Sequence, residues 1–588
     1  MITSFPREFA TGFRCVPFII AAFLSQMVTE AQISKRKGGF GSLFKNQSSR
    51  NENPEPGQVD ARAVLLKDIV MRSLPADRHY REILADAIVL TYQRKNFKNL
   101  WNHRQMPDRL YRSLSQHLLR HGVPELMALD PNSFGAIPRK SPVNSRDLGY
   151  TIAIADSGAL VRLGPAPREV IWSDWDKGDR PGLNRDTGET LAEDLLKVSS
   201  YRTFNAGAAI DSMASRNWIY RELQNGFVAS LRAASKPDQY PTIPDPATTG
   251  IAKPGQPYAY AGQLAETLAL RGHLTLSPDE RRSLQFISPE LAAGIKNFQQ
   301  ANGLTADGIM GSGTWKVLTM SPAQQLKTRA INLHRARLLP DDFGERYIII
   351  NLPSAELFTF NGRELDFTMR VVLGRSEEEE FHTPVFRDVM REVVFAPYWN
   401  VPESISVKEI YPKLLENPNY LTEKHYEIVN NFRDDASVFE LNEETLAKIE
   451  TAKLYLRQKP TPGNALGKVK FLLPNQFNIY LHDTPSKQYF AMENRAQSHG
   501  CVRLADPPKM AEWTLKSQGW DQSKISVAMD SSTQIREKLA TPINVYLTYF
   551  TSFPRPSGTS AGEFILAPAR DIYKLDIRDS AALASVLP

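Results

Sequence analysis

The chain has 588 residues, enough for about three or four domains of usual size. Apolar residues make up 42% and charged residues 23%, which excludes a chain that is disordered or membrane-embedded as a whole; two cysteines exclude a disulfide framework and an all-Cys zinc site. The net charge of +6 sits at one end, since residues 1–50 carry seven Lys/Arg against Glu8 and Glu30. The rest is nearly neutral and lacks the clustered cations of a nucleic-acid-binding face.

At the N-terminus, Arg7 and Arg14 precede an apolar run at 16–24, followed by Thr29-Glu30-Ala31 placed like a cleavage site. Residues 1–31 therefore read as a signal peptide or an uncut anchor, and the chain is expected in the periplasm or cell envelope, with an inner-membrane anchor if the segment stays on. The run is short for a membrane span. Cleavage would remove Cys15 and leave Cys501 as the one thiol in a compartment where cysteines normally pair. Such a leftover thiol is reactive, bridges to another chain, or is simply buried and inert.

Residues 32–60, basic and then rich in Gly, Ser, Asn and Pro, read as a flexible linker. Over 61–235 the pattern is mostly helical: Ile83, Leu84, Ala87, Ile88, Thr91 and Tyr92 share one face, and the aromatics from Tyr92 to Trp101 read as core packing. Six prolines at 237, 241, 244, 246, 254 and 257 break both helix and central strand, so 236–257 is expected to be a linker. Residues 258–322 form a small helical module. Leu264 and Leu268 line a first helix ended by Gly272, Ile295 and Phe298 face inward from a second, and Thr314, Trp315 and Leu318 lie on a third. Between the last two come Gly303-Leu304, Asp307-Gly308 and Gly311, which is turn chemistry. This pattern resembles the three-helix peptidoglycan-binding module, which implies contact with glycan or stem peptide, or use as a spacer alone.

A connecting helix is expected at 323–344. From 345 to 552 the period changes to that of strands: 347–351, 356–360, 367–373, 393–396, 468–473, 477–481 and a late run at 542–550. The stretch 403–465 reads as helices and loops broken by Pro412, Pro418, Pro460 and Pro462, a long insertion of the kind that serves as a lid. Residues 553–588 form a C-terminal extension whose structure the sequence does not disclose.

The chemistry concentrates in His482-Asp-Thr-Pro and, fifteen residues on, Ser498-His499-Gly500-Cys501-Val502-Arg503. Thiolate, not thiol, is the nucleophile, so a reactive cysteine needs a nearby base. A histidine can take its proton and return it to a leaving amine. Backbone amides at Gly500 and Cys501 are candidates for holding an oxyanion, and Arg503 adds positive charge. His482 and His499 compete for the role of base, because residues i and i+2 of an extended segment share a face. Zinc on His482, His499 and Cys501 lacks a completing ligand, and no cofactor is expected.

The His482 spacing, the S-H-G-C-V-R run, the preceding IYLHDTP and the upstream Trp399-Asn-Val-Pro together resemble the L,D-transpeptidases (YkuD-type catalytic domain). The likeness is to the larger branch, which carries a scaffold domain and an internal peptidoglycan-binding module. It implies an α+β multidomain fold: a mostly helical N-terminal scaffold, the three-helix module and a mainly-β catalytic domain with a helical lid insertion. It further implies a cysteine acyltransferase with Cys501 as nucleophile and His482 as proton acceptor and donor. Ser498, His499, Gly500 and Arg503 would shape the site and oxyanion hole, and Trp399 and Tyr480 would touch substrate. The implied reaction is 3→3 cross-linking of peptidoglycan stem peptides with release of D-Ala, open to carbapenem-type inhibitors. Two rivals remain. A cysteine peptidase normally has Cys before His, whereas His482 precedes Cys501 here; a non-catalytic wall scaffold has no need for an intact Cys and His. The acceptor and the oligomeric state are not legible.

Overall fold

The computed structural model describes residues 60–585 apart from 102–109, 132–139, 168–170, 173–174, 176–184, 202–203, 235–239, 434, 493 and 557–562. The expected signal peptide or anchor, and all of the 32–60 linker but Asp60, lie outside these. Among the described residues, no helix is long and apolar enough to cross a membrane.

Among the described residues, seven α-helices build the N-terminal region: Ala61–Ser73, Arg81–Arg94, Leu110–Arg120, Ser145–Leu163, Arg185–Ser199, Ala206–Met213 and Trp218–Ala234. Their starts follow capping chemistry. The Asp60 carboxylate accepts from the Arg62 amide, and the Asn144 side chain accepts from Arg146 and Asp147. The Ser145–Leu163 helix is buried on nearly every side. Its buried Asp147 is satisfied by the Tyr92 hydroxyl (2.7 Å) and the Leu100 and Trp101 amides (3.0 and 2.9 Å). Tyr92 and Trp101 are accordingly core residues.

The small module holds four helices, Ala261–Leu270, Pro278–Ser283, Pro289–Ala301 and Ser312–Thr319, around its own core. The extra helix opens on a Ser277/Glu280 capping box, and none of its residues is buried, so no apolar stripe announces it in the sequence. Part of the proline-rich stretch packs into this module: Ile243 and Ala252 are buried in its core, and the Trp315 indole N–H donates to the Ile243 carbonyl (2.7 Å).

The C-terminal half contains fifteen strands among the described residues. They are β1 (Arg346–Asn351), β2 (Glu356–Asn361), β3 (Glu364–Gly374), β4 (Phe386–Phe395), β5 (Trp399–Asn400), β6 (Tyr426–Val429), β7 (Val438–Phe439), β8 (Tyr455–Gln458), β9 (Val469–Leu472), β10 (Leu481–His482), β11 (Ala496–Ser498), β12 (Val502–Leu504), β13 (Ile535–Thr548), β14 (Ser552–Pro556) and β15 (Phe564–Pro568). Nine form one sheet in the order β11-β3-β12-β10-β9-β4-β13-β1-β2, and a further β2–β3 pairing closes it into a barrel. The late strand β13 completes it, parallel to β1 and antiparallel to β4. In β1, Tyr347 through Ile350 are all buried, so the alternation of a half-exposed strand is missing. The Trp218 indole N–H donates to the Tyr347 hydroxyl (3.1 Å), and one continuous core runs from the N-terminal helices into the barrel.

The insertion differs from the helical lid expected. Besides short helices it contains a four-stranded sheet, β5-β8-β6-β7, over a separate core of Val401, Ile410, Leu414, Ile428, Ile449, Leu454 and Leu456. Strands of two to four residues between prolines are too short to show a period. Buried Asn464 ties its roots together, donating to the Pro397 and Lys459 carbonyls (3.0 and 2.9 Å). The C-terminal extension adds the β14–β15 hairpin and the Leu575–Ser585 helix. That helix is clamped to the connecting helix Pro322–Ala336 by the buried Arg335, which pairs with Asp576 and Asp579 (both 2.7 Å).

Candidate active site

Three neighbouring strands carry the site. β10 runs parallel to β12, with Leu481 opposite Val502 and His482 opposite Arg503. β9 lies antiparallel on the other edge of β10, with Phe471 opposite Leu481 and Lys470 opposite His482. Val469, Phe471, Leu481, Val502 and Leu504 are fully buried and form the core face. Side chains alternate across a sheet, so Lys470, His482 and Arg503 form a row on the other face. The Val502 amide donates to the Tyr480 carbonyl (3.2 Å), which extends the pairing backwards and brings Tyr480 and Cys501 onto that same face.

The turn carrying Cys501 is held by its own motif. The Ser498 hydroxyl donates to the Cys501 carbonyl (2.7 Å) and accepts from the Gly500 amide (3.2 Å). Gly500 has φ +115°, a region that side chains rarely adopt, and an added Cβ would come within 3.2 Å of Ile479 Cδ1. The buried Thr383 hydroxyl donates to the Gly500 carbonyl (2.7 Å) and accepts from the Gly374 amide (2.9 Å). Gly374 is glycine because the Phe381 carbonyl would lie 1.7 Å from its Cβ. From the C-terminal extension, the Tyr573 hydroxyl donates to the Gly374 carbonyl (2.8 Å).

His482 is nearly sealed, with 4% of its surface exposed. Its Nδ1 faces the Asp483 carbonyl at 2.5 Å, which makes Nδ1 the protonated nitrogen and leaves Nε2 as the basic one. Asp483 is braced in turn, its carboxylate accepting from the Thr484 and Lys468 amides (2.7 and 2.8 Å) and from Lys487 Nζ (2.7 Å). The Cys501 sulfur contacts the Asn478 carbonyl at 3.7 Å, and neighbouring Tyr480 favours its thiolate. Tyr480 packs edge-on to the His482 ring, centroids 5.8 Å apart.

Burial dominates the ionisation. It pushes the Cys501 thiol up to about 11 against the opposing pull of Tyr480, Arg503 and Lys470, although the residue keeps some surface open to solvent. Burial, reinforced by the Arg503 and Lys470 charges, pulls His482 down to about 3. The resting pair is thus neutral thiol and neutral imidazole, and proton transfer has to accompany attack.

Residues 345–542 match the family model for the L,D-transpeptidase catalytic domain. The barrel therefore falls largely within a segment similar to the L,D-transpeptidase catalytic domain. Residues 263–318 match the model "Putative peptidoglycan binding domain". A Haemophilus influenzae protein described as "Putative L,D-transpeptidase" is 31% identical over 247 residues, 42% of this chain; the match spans 47%, about half, of that protein's own length. Among solved structures, an L,D-transpeptidase from Stackebrandtia nassauensis is 15% identical with a TM-score of 0.19, covering 53% of this chain and 97% of its own. One from Xylanimonas cellulosilytica is 14% identical with a TM-score of 0.16, covering 52% and 100%. Scores that low leave the fold to the coordinates themselves.

Within the barrel, the expected site residues fall into two groups. Cys501, His482, Tyr480 and Arg503 share one face, with Ser498 and Gly500 beneath the turn. His499 points away from the sulfur into the insertion: its Nε2 meets Glu409 Oε1 at 2.7 Å and its ring packs edge-on to Phe381, centroids 5.0 Å apart. The Gly500 amide, a candidate oxyanion donor, is already engaged by Ser498. Trp399 sits at the root of the insertion against Tyr426 (6.2 Å), part of the packing around that core. Sequence reading passed over Thr383, Glu409, Lys470, Asn478 and Tyr573. Of these only Lys470 left a signal, a charged residue between two fully buried ones in β9. Among the described residues, no group of three His, Cys, Asp or Glu side chains is placed to hold a metal ion.

Proposed function

We propose that the chain is an envelope L,D-transpeptidase that forms 3→3 cross-links between peptidoglycan stem peptides. The observation that carries this reading is the shared face of Tyr480, His482, Cys501 and Arg503 on β10 and β12, inside the segment that matches the L,D-transpeptidase catalytic domain. Cys501 is the nucleophile and His482 Nε2 the base. The thiol proton passes to Nε2 as the sulfur attacks the carbonyl carbon of the third stem residue. The bond to the terminal D-Ala breaks, its nitrogen takes the proton from His482, and a thioester remains on Cys501. The side-chain amine of a second stem then attacks the thioester, its proton passes through His482 to the departing sulfur, and the 3→3 amide forms. The Tyr480 hydroxyl, on the same face as Cys501, is assigned as donor to the developing oxyanion, a role worth roughly 3–4 kcal/mol in well-studied hydrolases.

The 258–322 module is assigned to holding peptidoglycan near the barrel, and the 403–465 insertion to excluding water, because hydrolysis of the thioester competes with transfer. The domain layout follows the same reading, from an N-terminal export segment through scaffold and module to the catalytic barrel. The test is incubation of the protein with purified tetrapeptide muropeptides and mass spectrometry of the products. Cross-linked dimers that vanish in Cys501→Ala are expected. Tripeptides without dimers would replace transfer by L,D-carboxypeptidase action, and undiminished dimers with Cys501→Ala would remove Cys501 from the chemistry.

A further inference from the structure

His482 stands between two cations: strand register sets Lys470 opposite it on β9 and Arg503 opposite it on β12, all three on the site face. Lys470 is partly buried: its Nζ donates to the Tyr398 carbonyl (3.2 Å), at the root of the insertion, and lies 5.9 Å from the centre of the Tyr480 ring, which neighbours Cys501. We propose that Lys470 is an electrostatic positioning residue: its ammonium supplies countercharge for the Cys501 thiolate.

The argument is Coulombic. A fixed positive charge beside an imidazole disfavours imidazolium, and the same charge across Tyr480 from a sulfur favours thiolate. The two effects oppose one another: the charge makes imidazolium harder to form but stabilises the thiolate left when the thiol proton departs, and it is through the thiolate that Lys470 assists attack. Arg503 acts on both groups in the same sense and more strongly, from the opposite side of His482, where it lies near the Tyr489 ring (5.9 Å). Asp483 is engaged by two amides and Lys487. On the neighbouring strands, Glu392 is paired with Arg536 (2.6 Å), and His499 with Glu409. Burial, with the Arg536 charge, brings Lys470 itself down to about 8, while Glu392 and Cys501 pull the other way; the ammonium therefore predominates at neutral pH.

The inference rests on the proposed role of Cys501, but its test needs no peptidoglycan. Alkylation of Cys501 by iodoacetamide, followed on its own peptide by mass spectrometry across pH, reads thiolate formation directly. Lys470→Gln keeps a donor for the Tyr398 carbonyl and removes the charge; Lys470→Arg keeps the charge. For Lys470→Gln the expected result is a roughly tenfold slower reaction at pH 7, where the wild-type ammonium is present, with Lys470→Arg close to wild type. An unchanged rate at pH 7 for Lys470→Gln, or equal slowing in both variants, overturns the proposal. If Lys470→Gln does not fold, as judged by thermal unfolding, Lys470→Met, which keeps the buried stem, carries the same two outcomes. Alkylation at pH 7 that slows in Lys470→Gln in a protein forming no cross-links would sustain this inference while ending the proposed function.

Discussion

At the scale of single residues, the Cys501 turn depends on backbone geometry more than on side-chain bulk. Gly500 occupies φ +115°, so Gly500→Ala forces an unfavourable backbone region as well as a tight contact with Ile479. We expect a loss of about 1–2 kcal/mol in stability, read by thermal unfolding, and slower Cys501 alkylation because the sulfur is displaced from Tyr480. A melting temperature and alkylation rate equal to wild type would contradict this account of the turn. The placement of His482 and Cys501 on one face of neighbouring strands was legible in the sequence because it lies in spacing and strand phase. The commitment of the Gly500 amide to Ser498 was not, because it depends on a hydroxyl rotamer within a turn, and neither was the withdrawal of His499 toward Glu409, ninety residues away in the chain.

Among elements, the insertion is the one whose freedom bears on the reaction. It meets the barrel loops through His499–Glu409 (2.7 Å) and Lys408–Glu380 (3.2 Å), all partly exposed groups. Such pairs contribute about 0–1 kcal/mol each, far less than the apolar cluster that holds the insertion together, so we expect these contacts to open before the insertion's own fold is lost. Glu409→Gln should speed deuterium uptake across 403–416 and leave uptake in β1 and β13 unchanged; equal uptake in mutant and wild type would mean that the pair does not hold the insertion down. The long strands of the barrel, such as β1 and β13, were readable from their apolar runs. The short strands β6, β7 and β8 were not, nor was the β14–β15 hairpin, because a few residues among prolines carry no period. Tyr573 reaches the site from a segment with no readable pattern at all, so tertiary packing alone brings it to Gly374.

Over the whole molecule, the N-terminal helices and the barrel share one core, and His334 lies at their junction on the Pro322–Ala336 helix. It is buried, packs against Gly164, and among the described residues neither ring nitrogen has a hydrogen-bond partner. Burial, with the Arg337, His79 and Arg335 charges, holds its pKa well below the ordinary 6.5. Below about pH 6.5 the unfolded chain therefore binds a proton that the folded chain refuses, so stability falls as pH drops through that range. His334→Leu should flatten this acid limb in urea titrations between pH 7 and about pH 4.5, and an unchanged slope would assign the limb to other groups. The sequence disclosed the helical character of the scaffold, but not that it is continuous with the barrel, since that continuity lies in contacts such as Trp218 with Tyr347, 129 residues apart.

The central claim is that Cys501 carries the acyl group, and the most direct measurement is the mass of the protein recovered early from incubation with tetrapeptide stems, followed by peptide mapping. The account predicts a gain equal to the tripeptide acyl group, located on the peptide containing Cys501 and absent from Cys501→Ala. An adduct on another residue, or turnover of the stems with no adduct on Cys501 under conditions that preserve thioesters, would contradict it.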